Sequence, residues 1–479
     1  MTDLPQRPNV LVILCDQLSA QAVGAYGNTH VQTPTMDQLA ERGTRFGRAY
    51  TPYPLCRPAR PAIWSSRWPH QTGVLSNGRW FKDELFPEDM ATLGELCAAA
   101  GYQTVHAGKT HDHGSLRGFE IIQRQQKQVP APAAFPYNPD TFHDVSLIEQ
   151  IEQFFEDRSD DRPFLLVADV DNPHNICGWI GANAGPDQQL PLPDEPLPPL
   201  PENWDTPDIQ DRPIPIQYIC CSHRRGMQAA HWSEEKFRQY LAAYYHYCNL
   251  ADRAVARILA ALEASGQAEN TIVVLSADHG DSMGAHRLVT KHTTFYEETV
   301  RVPLIFAGPG IIPGASADGP LVSLLDLTPT LLEIAGIEIP DSMRGRSLQP
   351  YLVGDAWDKP RLFVVSHWHT EWGSTIEPGR MVRSERYKYT RYIEGDGEEL
   401  FDLQEDPGEI HNLAGSAEHA EILQAHRQML ADYVEQTGDP FFSLEPFAEP
   451  AYRSHKPGYV HHQGSCAPLV WIEQKPPID

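Results

Sequence analysis

Three short segments of the chain concentrate residues that could do chemistry. Cys56 opens the run Cys56-Arg57-Pro58-Ala59-Arg60, Asp16-Gln17 follows the apolar run 9–14, and Asp278-His279-Gly280-Asp281 follows the apolar run 271–276. A cysteine thiolate is a nucleophile. Carboxylate and amide oxygens favour Ca²⁺ or Mg²⁺, and a histidine ligand also admits Mn²⁺. Because ligands of open α/β sheets collect beyond the carboxyl ends of strands, we predict one divalent-cation site, with Ca²⁺ the first choice, from Asp16, Gln17, Asp278 and His279.

Each of these residues also has an ordinary structural explanation. Cys56 could be a buried thiol in front of a helix that Pro58 starts. Asp16 could cap the next helix, and Asp278 could simply turn the chain. Arg60 lies four residues after Cys56, which places it one helical turn away on the same face. We therefore expect Arg60 to support the residue at position 56 and the cation site.

The elements that would position these residues have the pattern of an α/β protein. Apolar, β-branched runs predict buried strands at 9–14, 103–106, 164–170, 271–276 and 303–307. Apolar stripes predict helices at 35–42, 58–66, 91–99, 144–156, 234–264 and 323–335. The strands lack polar alternation, as do strands covered on both faces. Strand and helix alternate, so we predict a large, mainly parallel sheet flanked by helices.

The pattern changes near residue 361. Short runs at 362–366, 380–382, 387–392 and 399–403 precede an amphipathic stretch at 417–437, which predicts a small antiparallel sheet with one packed helix. Residues 185–232 include a proline-rich stretch and predict an extended excursion from the main domain. We expect a catalytic domain over 1–360, a small α+β subdomain over 361–440, and an aromatic extension over 441–479 that packs on the body.

Composition excludes some classes of function. The chain has 479 residues and a net charge of −26, which argues against nucleic acid because phosphate contacts need a basic face. The charge also disfavours a long polyanion unless basic side chains concentrate at the site. The apolar run 9–14 is too short to span a membrane or to form a leader with a cleavage site. We expect a cytoplasmic protein as the sequence is written, although a leader that has been removed stays an alternative. The oligomeric state is left open, and we expect the eight cysteines to be reduced.

The order of motifs resembles that of the type I sulfatases of the alkaline phosphatase superfamily, from about residue 8 to residue 437. Cys56-Arg57-Pro58-Ala59-Arg60 has the Cys-x-Pro-x-Arg form of the family's maturation motif. The other matching segments are Asn9–Gln17, Gly108-Lys109-Thr110-His111, Gly118-Phe119-Glu120, Pro173-His174, Asp278-His279-Gly280 with Lys291, Phe295–Glu298, Arg301–Leu304, Glu399–Leu403, Asp406–Glu409 and Asn412-Leu413.

This resemblance implies that a formylglycine-generating enzyme oxidises Cys56 to formylglycine, which also joins the cation's ligands. Its hydrate would attack the sulfur of a sulfate ester, and its second hydroxyl would then expel sulfate. The resemblance assigns Lys109 and Lys291 to the sulfate oxygens and His111 to the base that deprotonates that second hydroxyl. It assigns His174 to the sulfate and to protonation of the leaving oxygen. The expected substrate is a sulfated sugar or another small sulfate ester.

Several features leave alternatives open. Trp64-Ser65-Ser66-Arg67 replaces the family's usual Leu-Thr-Gly-Arg, and Arg57 is bulkier than the usual residue at its position. The cation ligands resemble those of choline sulfatases and phosphonate monoester hydrolases, so a phosphonate or phosphodiester hydrolase is a second hypothesis. A silent, sulfatase-like binding protein is a third hypothesis, against which the full catalytic set argues. His111-Asp112-His113 could suggest zinc, but two ligands at that spacing without further partners are a weak signal. His223-Arg224-Arg225 could reach an anionic substrate or stay solvated, and His286 and Arg287 could line the pocket.

Overall fold

The computed structural model describes residues 7–77, 85–122, 143–183, 196–205, 212–213, 215–216, 229, 232–291, 294–369, 377–393, 397–445, 460–462 and 465–467. The strands are β1 Asn9–Cys15, β2 Gly43–Phe46, β3 Ala49–Tyr50, β4 Gln103–Gly108, β5 Glu120–Ile122, β6 Phe164–Val170, β7 Thr271–Ala277, β8 Leu304–Ala307, β9 Ala315–Ala317, β10 Val322–Ser323, β11 Phe363–Trp368, β12 Gly379–Ser384, β13 Tyr387–Tyr392, β14 Glu398–Asp402, β15 Val460–His462 and β16 Ser465–Ala467. The α-helices are Pro34–Glu41, Cys56–Ser65, Pro69–Thr72, Leu93–Ala99, His143–Asp157, Ile176–Asn183, Glu234–Ala264, Glu297–Val300, Leu327–Ile334, Gln349–Leu352 and Ala420–Thr437.

An eight-stranded sheet forms the centre of the molecule, in the order β5-β4-β6-β1-β7-β8-β2-β9. The five strands from β5 to β7 are parallel, whereas β8 runs antiparallel to both of its neighbours, β7 and β2. Every residue of β1, β6 and β7 is buried. This burial explains why these strands read as continuous apolar runs. The predicted large, mainly parallel sheet flanked by helices is confirmed.

The register of the sheet brings the carboxyl ends of four strands to one edge. Cys15, the last residue of β1, pairs with Val170 of β6 and with Ala277 of β7. Gly108, the last residue of β4, pairs with Asp169 of β6. The residues that follow these strands therefore begin at the same level, and the sheet positions the site in this way.

A separate four-stranded antiparallel sheet, β11-β12-β13-β14, follows in sequence, and the helix Ala420–Thr437 contacts β12. Buried Val382, Tyr389, Leu400, Leu430 and Tyr433 form its core. This is the predicted small antiparallel sheet with one helix. Most of the aromatic extension and of the proline-rich excursion lies outside the described residues, so their predicted roles remain predictions.

The helix boundaries differ from the predictions at two informative places. The predicted helix 58–66 starts two residues earlier, with Cys56 as its first residue. Pro58 still lies in the first turn, where the missing N–H would have no partner in any case. The predicted helix 323–335 is a 3₁₀ turn, Leu324–Asp326, followed by an α-helix, because Ser323 caps the turn by accepting a hydrogen bond from the Leu325 N–H.

Two further observations concern the whole described chain. Within the described part of the chain, Cys15, Cys56, Cys97, Cys177 and Cys248 are free thiols, and the reduced state of all eight cysteines stays a prediction. Among the helices of the described residues, none has the length and apolar character needed to cross a membrane.

Candidate active site

Cys56 lies at the first position of its helix and is completely buried. Its Sγ is 3.0 Å from Nε2 of His279 and 3.7 Å from Oδ1 of Asp16. Leu55, the residue before the helix, has an extended backbone, so the chain enters the helix at the carboxyl edge of the sheet. The structure thus brings together residues from three separate segments of the chain.

Two carboxylates, one imidazole and the thiol converge at this point. The ligand atoms of Asp16, Cys56, Asp278 and His279 all lie within 4.8 Å of one another, and all four residues are buried. Nδ1 of His279 is 2.9 Å from the Gly280 carbonyl oxygen, which accepts a hydrogen bond from Nδ1 and leaves the Nε2 lone pair facing the cluster. The two carboxylates fit a hard divalent cation such as Ca²⁺ or Mg²⁺, and the imidazole also admits Mn²⁺. Four of the five predicted ligands therefore converge.

Gln17, the fifth predicted ligand, lies beside the cluster. Its backbone has a left-handed φ of 70°, and its N–H donates to Oδ1 of Asp278 over 3.1 Å. Its amide nitrogen donates to Asp281 over 2.6 Å, and its amide oxygen accepts from Lys291. In this structure the side chain of Gln17 therefore connects the cation cluster to the lysine.

Arg60 holds the acidic side of the cluster. Its guanidinium is fully buried and donates from Nε to Asp278 over 3.1 Å, from Nη2 to Asp16 over 3.1 Å, and from Nη1 to Asp169. Burial alone would lower the pKa of Arg60, but the three carboxylates hold it well above its ordinary value. The predicted supporting role of Arg60 agrees with this geometry.

Three cationic or ionisable side chains lie around Asp16. Nζ of Lys109 is 2.7 Å from Oδ2 of Asp16, and Nδ1 of His174 is 2.8 Å from Oδ1. Nζ of Lys291 is 2.9 Å from Nδ1 of His174. Burial would raise the pKa of Asp16, but Lys109, His174 and Lys291 hold it well below its ordinary value. Positive charge is thus concentrated where an anion could enter.

Two glycines allow segments of the site to pack closely against neighbouring backbone. Gly108 has a φ of +99°, and a Cβ there would lie 2.1 Å from the carbonyl oxygen of Asp169. A Cβ on Gly280 would lie 2.0 Å from the carbonyl oxygen of Glu298. A side chain at position 108 would push the segment of Lys109 away from Asp169, and one at position 280 would push the segment of His279 away from Glu298.

The other candidate residues are less closely connected to the cluster. His111 is half-buried, with a φ of 38°, and its buried Nδ1 has no hydrogen-bond partner within the described chain. Nε2 of His286 is 3.4 Å from Nδ2 of Asn203 and its ring stacks on Tyr296, while Arg287 pairs with Asp205. These contacts tie both residues to the segment 196–205. The carbonyl oxygen of His113 accepts a hydrogen bond from the Phe86 N–H over 3.0 Å, and 223–225 lies outside the described residues.

Sequence reasoning missed Asp169 and Asp171. Asp169 is the second-last residue of β6 and binds Arg60, and Asp171 follows the same strand and lies 3.5 Å from Lys109. The rule that singled out Asp16, a carboxylate directly after a buried strand, would have found Asp171, whereas Asp169 lies inside its strand. Cys177 was also missed: its Sγ is 3.5 Å from the amide oxygen of Gln17 and 3.9 Å from Nζ of Lys291.

Comparison with known proteins gives consistent matches. The family model described as Sulfatase matches residues 8–337, and the model described as N-sulphoglucosamine sulphohydrolase, C-terminal, matches residues 284–436. A Delta 4,5-hexuronate-2-O-sulfatase of Bacteroides thetaiotaomicron is 47% identical over 464 residues, which cover 96% of this chain and 96% of that protein.

Solved structures agree with these matches. The structure of a 2-O GAG sulfatase superposes with a TM-score of 0.89 at 47% identity and covers 96% of this chain and 99% of that one. A phosphonate monoester hydrolase of Agrobacterium radiobacter superposes with a TM-score of 0.73 at 21% identity, covering 91% of this chain and 97% of that one. At this identity, the second likeness concerns the fold alone.

Proposed function

The chain belongs to the sulfatase family, and from this premise we propose that it hydrolyses the 2-O-sulfate ester of a hexuronate, in particular a Δ4,5-unsaturated one. The observation that carries this proposal is the identity of 47% with a Delta 4,5-hexuronate-2-O-sulfatase over 96% of both chains. This proposal narrows the predicted sulfated sugar to one position on one class of sugar.

The chemistry of such a substrate agrees with the acidic character of the chain. A double bond between C4 and C5 leaves no oxygen on C4 to carry another sugar, so an unsaturated hexuronate stands at the end of a saccharide. The enzyme would then take one terminal unit rather than a long polyanion. Lys109, His174 and Lys291 supply positive charge locally, which outweighs the distant charge of −26 because charges beyond about 10 Å are screened in salt.

Each nearby side chain has a proposed task in the reaction. Lys109 and Lys291 would bind the sulfate oxygens, where charge spreads as the sulfuryl group is transferred. His174 would orient the sulfate and give a proton to the leaving oxygen of the sugar. His111 would take a proton during sulfate release, after a small movement of its segment toward position 56. Arg60 would keep Asp16 and Asp278 in place.

A cation and a modified residue 56 fit the same set of residues. Asp16, Gln17, Asp278 and His279 would hold Ca²⁺, with Mn²⁺ or Mg²⁺ as alternatives, and position 56 would contribute an oxygen ligand after its conversion to formylglycine. Together these groups would supply an activated oxygen nucleophile at neutral pH. Cys56 is fully buried and the side chains of Lys109 and His174 are only partly exposed, so contact between bulk water and this nucleophile would be limited.

The maturation enzyme would act on the chain before it folds. Cys56 and Trp64 are completely buried in the folded protein, and the motif between them forms a helix. A modifying enzyme could therefore reach Cys56 only in an unfolded or partly folded chain. The residues that depart from the family pattern have structural tasks, since Ser66 donates to the Leu325 carbonyl oxygen over 2.8 Å and Arg57 binds Asn77.

Sulfate release from a matched set of sugars tests the proposal. Protein co-expressed with a formylglycine-generating enzyme should release sulfate from a 2-O-sulfated unsaturated disaccharide at least about 100-fold faster than from its 6-O-sulfated isomer. Equal rates would contradict the positional assignment. Faster turnover of a phenyl phosphonate ester than of any sulfate would favour the phosphonate hydrolase instead. Cys56→Ala is the matched inactive control.

A further inference from the structure

A second cavity lies at the far end of the helix that begins with Cys56. The cavity has a volume of about 210 Å³ and includes Trp68, Arg344, Arg346, Arg361 and Tyr433 in its lining. The helix Cys56–Ser65 is about 15 Å long at 1.5 Å per residue, and Trp68 lies beyond its end. We call this cavity, defined by those five residues, the arginine pocket, and it is distinct from the candidate active site.

The arginine pocket concentrates positive charge on an acidic protein. Arg361 is bound by Asp326 over 2.6 Å, which compensates one of the three guanidinium groups. Burial and the neighbouring Arg361 lower the pKa of Arg346, on which Asp326 and Tyr351 have the opposite effect. Burial and Arg344 likewise lower the pKa of the adjacent Arg67, on which Asp89 has the opposite effect. A bound anion would reduce the repulsion between these neighbouring positive charges.

The backbone at Arg344 and the side chain of Arg346 are held in place before any ligand arrives. The Arg344 N–H donates to the Ser66 carbonyl oxygen over 2.7 Å, which pins this segment to the end of the helix. The guanidinium of Arg346 lies 4.1 Å above the ring of Trp357 and donates to the Lys359 carbonyl oxygen over 2.8 Å. The Arg344 side chain is exposed. The Arg346 guanidinium, fixed in this way, would lose little conformational entropy when it binds a ligand.

The rest of the lining is aromatic and apolar. The Trp68 and Tyr433 rings lie edge to face with centroids 5.0 Å apart, and Trp68 is half-buried. Leu325, Phe363, Val364 and Val365 also line the arginine pocket. An aromatic ring offers an apolar face for the C–H groups of a sugar, and arginine binds carboxylate or sulfate oxygens in pairs. Its volume is below the roughly 300–1,000 Å³ of pockets for drug-sized ligands.

We propose that the arginine pocket binds one sugar ring that carries a carboxylate or a sulfate group, outside the site of catalysis. The anionic group would contact Arg344 and Arg346, and the apolar face of the ring would lie against Trp68. The choice of a sugar over other anions with an apolar face rests on the proposed function. The existence of an anion site rests on the arginines alone.

Isothermal titration of a 2-O-sulfated unsaturated disaccharide into the Cys56→Ser full chain tests this proposal, since that protein cannot turn the sugar over. The Cys56→Ser protein should bind about two disaccharide molecules per chain. Addition of Arg344→Ala/Arg346→Ala should reduce this to about one, whereas addition of Lys291→Ala should leave binding at the arginine pocket intact. Arg344→Glu alone, which alters only an exposed side chain, should weaken binding at the arginine pocket at least about tenfold. Arg42→Ala, on an exposed helix end, is the control and should leave both steps unchanged.

The outcomes separate this proposal from the proposed function. A stoichiometry of one that survives Arg344→Ala/Arg346→Ala would overturn the second site. Loss of binding in Lys291→Ala protein would overturn it as well. Binding only at the arginine pocket would retain the second site and remove the proposed substrate. The sugar in the arginine pocket could be a distant part of the saccharide that occupies the active site, or a separate saccharide, and a sulfated hexasaccharide distinguishes the two. One hexasaccharide per protein with tighter binding identifies the first source, and two per protein identify the second.

Discussion

Arg60→Met tests whether the buried arginine holds the acidic side of the site. Methionine has an apolar, flexible chain that fills much of the same space. The change leaves the carboxylates of Asp16, Asp169 and Asp278 without the guanidinium that contacts all three, and these groups are fully shielded from water. Removal of one partner of a buried ion pair costs about 3–5 kcal/mol. We therefore expect the free energy of unfolding, which is typically about 5–15 kcal/mol, to fall by at least about 3 kcal/mol.

The assay is urea unfolding at pH 7 in the presence of a chelator, followed by circular dichroism. Arg42→Met is the matched control, because Arg42 lies 3.9 Å from Glu263 and both side chains are more than half exposed, at 57% and 63%. An exposed pair contributes about 0–1 kcal/mol. If Arg60→Met unfolds at the same urea concentration as Arg42→Met, the electrostatic account of this site is wrong. Added Ca²⁺ should reduce the deficit of Arg60→Met, since a bound cation would compensate two of the three carboxylates.

Three further predictions concern other residues. Lys291→Ala should lower kcat about 10²–10³-fold, while the exposed Lys359→Ala should not; equal activities would remove the sulfate contact assigned to Lys291. Burial raises the pKa of Glu409 to about 8 despite the salt bridge with Lys388, and Glu297 and Glu298 add to the rise. The folded state therefore keeps a proton that the unfolded state releases, and stability falls by up to about 1.4 kcal/mol per unit between pH 5 and 8. Glu409→Gln should flatten that slope in urea unfolding at several pH values, and an unchanged slope would refute the assignment. Asp144 accepts hydrogen bonds from the N–H groups of Asp171 and Asn172 over 2.7 and 3.2 Å. Asp144→Ala should lower kcat more than it raises KM, because it loosens the loop that carries His174; a change in stability alone would contradict this positioning role.

The convergence of Asp16 and Asp278 could be predicted from sequence because their positions follow from a general rule. Asp16 and Asp278 each follow a buried strand, and those strands are neighbours with Cys15 opposite Ala277. Hydrophobic patterning is therefore enough to identify both carboxylates. The same rule points to Asp171, which directly follows the strand Phe164–Val170. It does not point to Asp169, which lies within that apolar run.

Other parts of the site depend on contacts that periodicity does not contain. Lys388 lies on β13, and it binds Glu297 over 3.1 Å and Glu409 over 2.6 Å, so it joins the small sheet to the segment beyond Lys291. Lys388 and Glu297 are 91 positions apart in the chain. Their pairing depends on how two sheets pack, which local spacing does not determine. The Lys109, His174 and Lys291 cluster was predicted only from the family resemblance, for the same reason.

The mass of one tryptic peptide directly tests whether a formylglycine at position 56 carries the reaction. Trypsin does not cleave before Pro58 or Pro61, so Cys56 lies in the peptide 49–67, which contains no other cysteine. The measurement should use active protein, purified after co-expression with a formylglycine-generating enzyme. We expect a peptide about 18 Da lighter than the unmodified sequence, in a fraction that matches the fraction of active enzyme. Full activity with an unmodified peptide would contradict the claim that a formylglycine at position 56 carries the reaction.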